Sequence, residues 1–93
     1  MIKIKIVFMS ILRDFTGIAE DTVELPDNAV FKELLALFRE KYEGKLPKEL
    51  YYDGEFKMIH IMINKRDVNF KDDLEKPLSD GDIFYLIPPI GGG

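Results

Sequence analysis

The sequence predicts an α+β domain in which one amphipathic helix packs against a mixed β-sheet, and three observations carry that prediction. Residues 2–9 alternate Ile or Phe with other residues, which is the period of a strand with one buried face. Residues 29–43 place apolar side chains at steps of three and four, which is the period of a helix. Residues 83–87 are apolar throughout, as expected of a central strand.

The first strand is followed by a segment with no sustained period, residues 10–20, in which we expect one helical turn before Gly17. Residues 22–25 form a second, short strand that ends at Pro26. The long helix then covers residues 29–43, with an N-cap at Asp27 or Asn28 and a C-cap at Gly44. One stripe of this helix should face the sheet, and it consists of Phe31, Leu35, Phe38 and Tyr42.

The second half of the chain should contain three more strands. Residues 45–57 form an exposed connection, and residues 58–64 alternate again as a strand. A turn at 64–67 then leads to a short strand containing Val68 and Phe70. Asp80-Gly81-Asp82 is a tight turn before the final strand, which ends at Pro88-Pro89 because proline cannot donate to a ladder.

The order β-β-α-β-β-β with one helix on a mixed sheet is the ubiquitin-like β-grasp arrangement. The first and last strands should be central neighbours, because they are the most apolar. We expect one such domain over residues 1–90 and a flexible, extended Gly-Gly tail over residues 91–93.

Composition excludes several classes of function. The chain has no cysteine and a single histidine, His60, so thiolate sites, metal sites and Ser-His-Asp relays are hard to assemble. A net charge of −4 without a basic stripe argues against nucleic acid. Residues 1–9 are too short and too alternating for a signal peptide or a membrane span, so we expect a cytoplasmic protein with no membrane partner.

The C-terminal glycines are the remaining candidate for chemistry. Glycine tails are often merely disordered. Here, however, we expect the tail to leave an apolar strand through Pro88-Pro89 and to end in a bare carboxylate at Gly93, with nothing bulky or charged after it. Glycine also lets an extended chain enter a narrow channel while its carbonyl carbon stays accessible.

Two stretches carry a family resemblance: INKRDVNF from residue 63, and PLSDGDIFYLIPPIGGG from residue 77. The PL-x-DGD turn, the apolar strand, Pro-Pro, two variable residues and terminal Gly-Gly resemble the MoaD family, the small subunits of molybdopterin synthase. The resemblance extends over nearly the whole chain. Two features depart from it: the connection at 45–57 is long, and Lys65 stands where many members have glycine.

The resemblance implies a sulfur carrier for molybdenum or tungsten cofactor synthesis, with no cofactor bound and no catalysis by the carrier alone. A MoeB-like adenylating enzyme of the ubiquitin-activating type would use ATP to activate the Gly93 carboxylate, which then becomes a thiocarboxylate. The MoaE-like large subunit of molybdopterin synthase would accept the tail and supply the catalytic side chains. Exposed residues near the tail should bind these partners, and the candidates are Phe84, Leu86, Ile87, Pro88, Pro89, Ile90, Gly91 and Gly92.

Strand alternation allows only one set of β-strand side chains, Phe84 with Leu86 or Tyr85 with Ile87, to face the helix, and the sequence leaves that choice open. Three alternative functions also stay open: a ThiS-like carrier for thiazole synthesis, a protein modifier joined to lysine through Gly93, and a β-grasp binding module with an inert tail.

Overall fold

The computed structural model describes residues 1–42, 44–46, 60–68 and 72–88, which contain five strands and two helices. The strands are β1 (Ile2–Phe8), β2 (Glu20–Leu25), β3 (His60–Ile63), β4 (Arg66–Asp67) and β5 (Ile83–Ile87). The helices are α1 (Ile11–Thr16) and α2 (Phe31–Tyr42).

The strands form one mixed sheet in the order β2-β1-β5-β3-β4. β1 pairs with β5 in parallel, whereas β1–β2, β5–β3 and β3–β4 are antiparallel pairs. The predicted mixed sheet, with the first and last strands as inner neighbours, is therefore confirmed. In the parallel pair Ile6 lies opposite Phe84 and Phe8 lies opposite Leu86, so these four side chains share one face.

The core lies between that face and α2. Phe38 of the helix contacts Phe84 edge-on, with ring centroids 5.8 Å apart, and Tyr42 contacts Phe8 at 4.9 Å. Such pairs stabilise the fold beyond the apolar area they bury. The predicted helical stripe is confirmed, since Phe31, Leu35, Phe38 and Tyr42 are all buried.

The N-cap and C-cap that the sequence predicted for the long helix are wrong. α2 begins at Phe31, and Glu33 Oε1 accepts a hydrogen bond from the Val30 N–H at 3.3 Å. Asp27 instead forms an ion pair with the N-terminal ammonium group at 2.7 Å. Gly44 does not adopt the left-handed φ of a glycine C-cap.

The strand predicted at Val68 and Phe70 begins earlier than expected. Asn64 and Lys65 make the turn, and the pair Ile63–Arg66 closes it. Asn64 has φ of 57°, so the residue in the left-handed region is the asparagine, a type that tolerates it. Lys65 is outside that region, which explains why glycine is not needed there. Phe70 lies outside the described residues.

The helical turn expected before Gly17 is confirmed as α1. Gly17 adopts φ of 80°, and its N–H donates to the Arg13 carbonyl at 2.8 Å, which closes the helix with a left-handed C-cap. Leu12 and Thr16 are the buried residues of this helix, so its other side faces solvent.

Candidate functional site around the C-terminal strand

The start of β5 is fixed to the start of β1 by the Asp80-Gly81 turn. Asp80 Oδ1 accepts a hydrogen bond from the Lys3 N–H at 2.7 Å. The Gly81 N–H donates to the Lys3 carbonyl at 2.8 Å, and Gly81 has φ of 88°, a conformation that favours glycine. These two bonds extend the parallel pairing beyond the strand itself.

The same turn is joined to the β3–β4 hairpin by Asp82 and Asn64. Asp82 accepts hydrogen bonds from the Ser79 N–H at 2.8 Å and from Asn64 Nδ2 at 3.1 Å. Asn64 Oδ1 in turn accepts from the Ile83 N–H at 3.0 Å. The carboxylates of the Asp-Gly-Asp turn therefore serve to position β5, as the turn interpretation requires.

The other end of β5 is where the chain leaves the sheet. The Met9 N–H donates to the Leu86 carbonyl at 3.1 Å, and this backbone bond joins β5 to the residue after β1. Ile87 ends the strand and Pro88 follows, half-buried. Proline has no N–H, so Pro88 cannot continue the ladder beyond Ile87. We call this position the tail exit.

Phe84 and Leu86 are wrong as partner-binding candidates. Both are fully buried, with 0% exposure, because their positions opposite Ile6 and Phe8 turn them toward α2. Ile87 and Pro88 are half-buried and retain accessible surface. The candidates Pro89, Ile90, Gly91 and Gly92, and the terminal Gly93, lie outside the described residues.

The opposite face of the sheet carries an apolar surface that reaches the tail exit. Tyr85 lies between Val7 of β1 and Met62 of β3, and Ile83 and Ile87 lie two residues before and after it on β5. All of these are partly exposed. We call this group the sheet patch: Val7, Met62, Ile83, Tyr85 and Ile87.

Polar pairs border the sheet patch on both sides. His60 Nε2 lies 2.7 Å from Asp67 Oδ1, and both side chains are exposed. On the β2 side, Lys5 Nζ lies 3.8 Å from a carboxylate oxygen of Glu20. An apolar centre with a polar rim is the usual composition of a protein–protein interface.

Sequence reasoning missed Val7 and Met62. The alternation of β1 and β3 does place them opposite the buried isoleucines, which was the available signal. Their proximity to Tyr85 depends on strand order and register, which cannot be read from the alternation of side chains along one strand.

The described residues contain neither a metal-binding cluster nor a membrane-spanning helix. Across 1–42, 44–46, 60–68 and 72–88, no group of three His, Asp or Glu side chains is placed to hold a metal ion. In that same part of the chain, neither helix is long and apolar enough to cross a membrane.

Residues 6–93 match the sequence profile of the ThiS family. With the β-grasp topology and the anchored C-terminal strand, this match shows the class of the protein: the chain belongs to the ThiS/MoaD family of small ubiquitin-like proteins.

Three relatives show the range of that family. The chain is 30% identical over 87 residues to small archaeal modifier protein 3 of Haloferax volcanii, covering 92% of this chain and 94% of that one. It is also 30% identical to the molybdopterin synthase sulfur carrier subunit of Chlamydomonas reinhardtii, over 98% and 99% of the two chains. The putative molybdopterin converting factor subunit 1 of Pyrococcus furiosus has a similar structure, with a TM-score of 0.68, 26% identity and coverage of 97% and 100%.

Proposed function

We propose that this chain is the sulfur carrier of a molybdopterin synthase and that the Gly93 carboxylate is its working group. The observation that carries the proposal is the tail exit: β5 is fixed at its start and leaves the sheet at Pro88, with the last five residues beyond it. The family match through residue 93 and the similarity to a sulfur carrier subunit support it.

The proposed chemistry activates and then modifies the carboxyl group of Gly93. A carboxylate oxygen of Gly93 attacks the α-phosphorus of ATP, which forms an acyl-adenylate and releases pyrophosphate. A sulfur nucleophile at the oxidation level of sulfide then attacks the carbonyl carbon and displaces AMP, leaving a thiocarboxylate. Its sulfur bonds to the acceptor carbon as an oxygen leaving group departs from that carbon. Water then cleaves the acyl–sulfur bond of the resulting thioester, which leaves the sulfur on the acceptor as a thiolate and regenerates the Gly93 carboxylate. Two such transfers would supply both sulfurs of a dithiolene.

The partners in this proposal are a MoeB-like adenylating enzyme and a MoaE-like large subunit that supplies the catalytic side chains. The sheet patch is the surface we assign to their docking, because it is apolar, has a polar rim and ends at Ile87 beside the tail exit. A partner that takes up the tail must cover this part of the molecule.

Intact-protein mass spectrometry tests the proposal directly. Purified protein incubated with a cognate adenylating enzyme, ATP and a sulfur source should gain the mass of one oxygen-to-sulfur exchange, located at Gly93 by fragmentation. Omission of ATP is the control. A protein that keeps its mass under conditions in which the enzyme activates another family member contradicts the carrier function.

A second candidate function is protein modification, which the similarity to small archaeal modifier protein 3 favours. Carrier and modifier share the activated Gly93 acyl group and differ in the acceptor, which is a lysine amine for the modifier. A tagged chain in cells should therefore give different products. A carrier remains a free species after boiling in detergent, whereas a modifier gives a ladder of conjugates that disappears when Gly93 is deleted. We expect no ladder.

A further inference from the structure

A cavity of about 390 Å³ lies at the start of β5, the end of that strand opposite the tail exit. Its lining includes Asn64, Ser79 and Asp82, which surround the start of β5, and Phe31, the first residue of α2. Small-molecule sites in proteins have volumes of about 300–1,000 Å³. The cavity is therefore large enough for a small ligand, and the length of β5 separates it from the tail exit.

The base of the cavity is apolar. Phe31, Ile63 and Leu78 line it and are 2%, 6% and 7% exposed. Arg66, which also lines the cavity, lies directly opposite Ile63 in the β3–β4 pair, so the two side chains share one face of the sheet. A ligand in this cavity would therefore contact carbon atoms at the base and a guanidinium group at the rim.

The rim of the cavity carries two cations that have no acidic partner among the described residues. Lys65 and Arg66 are adjacent, exposed and both part of the lining. The ion pairs found in the described part of the chain use other cations. In a chain with a net charge of −4, two neighbouring unpaired cations form a local site of attraction for an anion. A guanidinium group can bind a carboxylate or a phosphate through two parallel hydrogen bonds.

The two carboxylates that line the cavity are engaged elsewhere. Asp73 is buried, and its Oδ1 lies 3.0 Å from Lys76 Nζ. Asp82 accepts hydrogen bonds from the Ser79 N–H and from Asn64 Nδ2. Because both carboxylates bond to other groups of the protein, the two cations of the rim stay available to a ligand.

We propose that this cavity binds a small amphipathic oxyanion, which is a carboxylate or phosphate group carried on an apolar body. The anionic group pairs with Arg66 and Lys65 at the rim, and the apolar body packs on the three buried residues of the base. The site is independent of Gly93 and of the proposed function, because its occupant lies at the other end of β5 and leaves the tail exit open.

The double variant Lys65→Gln/Arg66→Gln tests the site. Naphthyl phosphate and naphthoate are the probes, because each joins one oxyanion to a flat apolar body, and NMR titration of the whole chain measures their affinities. We expect the variant to bind the tighter probe at least about tenfold more weakly than wild type, since it loses charged hydrogen bonds. The matched control is Lys3→Gln/Lys45→Gln, which removes the same charge from exposed lysines outside the cavity and should stay within about twofold of wild type. A thermal melt confirms that each variant is folded.

The probes also separate the possible sources of binding. Tighter binding of naphthyl phosphate supports a phosphate ligand, and tighter binding of naphthoate supports a carboxylate ligand. Inorganic phosphate and naphthol each carry only one half of the proposed chemistry and should bind at least about tenfold more weakly than the tighter naphthyl anion. Equal binding of inorganic phosphate would show attraction by surface charge alone, and equal binding of naphthol would show an apolar cavity alone. Either result overturns the proposal, and so does an equal loss of affinity in the control variant or the absence of binding by both naphthyl anions.

Discussion

The two ends of β5 are built differently. At the start, side chains of Asp80, Asp82 and Asn64 bond to backbone or to each other and tie the strand to β1 and to the β3–β4 hairpin. At the far end, Ile87 and Pro88 are half-buried and retain accessible apolar surface. Polar side-chain bonds thus fix where the strand begins, whereas accessible apolar surface surrounds the point where it leaves.

This difference separates the contacts that anchor β5 from the surface that the proposed function assigns to a partner. The buried residues of β5 and the polar turn before it hold the strand in place. The far end can then remain available for a partner without loss of the fold. The predictions below test this separation of stability from binding, from the largest expected effect to the smallest.

The largest effect should come from the tail itself. Deletion of Gly93, or addition of one residue after it, should abolish adenylation, because the reacting carboxylate is moved or removed. The melting temperature should change by less than about 2 °C, since chain termini as a rule contribute little to stability. ATP–pyrophosphate exchange and a thermal melt measure the two quantities. Tail variants that are activated as well as wild type contradict the role of Gly93.

Phe84→Ala and Ile87→Ala should separate the two faces of β5. Phe84 is fully buried and contacts Phe31 and Phe38 edge-on, so its loss should cost about 3–5 kcal/mol of the free energy of unfolding. Ile87 is only half-buried, so Ile87→Ala should lower the free energy of unfolding by less than about 1.5 kcal/mol. Urea denaturation measures both. Equal costs would mean that the two faces do not differ as described.

Ile87→Asp should weaken binding to the large subunit by at least about tenfold, or about 1.4 kcal/mol, because a charge would be buried in an apolar contact. Thr22→Asp is the control, since Thr22 is exposed on the edge strand β2 and lies outside the sheet patch. Calorimetric titration of both variants with the large subunit compares them. A loss of affinity in the control equal to that of Ile87→Asp would show nonspecific repulsion by the added charge.

Asn64→Gly should cost about 1 kcal/mol of stability. Glycine accepts the φ of 57° at this position, so the cost reports the bonds to Asp82 and to the Ile83 N–H without added backbone strain. Asn64→Ala should cost more because it also places a Cβ in the left-handed region. If Asn64→Gly is as stable as wild type in urea denaturation, the polar bonds at the start of β5 do not anchor it.

The smallest effect should be a change in the stability of the fold at acidic pH. Asp21 is mostly buried, and burial opposes its ionisation, but hydrogen bonds from Lys41 and from the Tyr42 hydroxyl outweigh this and lower its pKa below the ordinary 3.8. Because the folded-state pKa is the lower one, the ionised group stabilises the fold above about pH 4, and this contribution is lost as pH falls through the folded-state pKa. Asp21→Asn should therefore flatten the acid limb of the stability curve. Identical acid limbs in the two proteins would contradict the bonding described for Asp21.

The elements that the sequence predicted well are those with strong, local periodicity. The alternation of β1, the stripe of α2 and the apolar run of β5 each reflect one buried face, and all three are found. The N-cap of α2 was misplaced, because Asp27 pairs with the N-terminal ammonium group. The start of β4 was misplaced, because the position of a turn depends on which residue adopts the unusual φ, and here that residue is Asn64. The exposure of Ile11 and Phe15 was not foreseen, since an apolar residue in a short helix looks the same in the sequence whether it is buried or exposed.

By itself, the sequence determined the β-grasp order of elements, the end of the final strand before Pro88 and the absence of cysteine. Each of these is a local or compositional property. Only the tertiary structure decided that Tyr85 and Ile87, and not Phe84 and Leu86, face away from α2. A continuous apolar strand is compatible with either orientation, and the choice is made by its register against β1, a contact between residues nearly eighty positions apart.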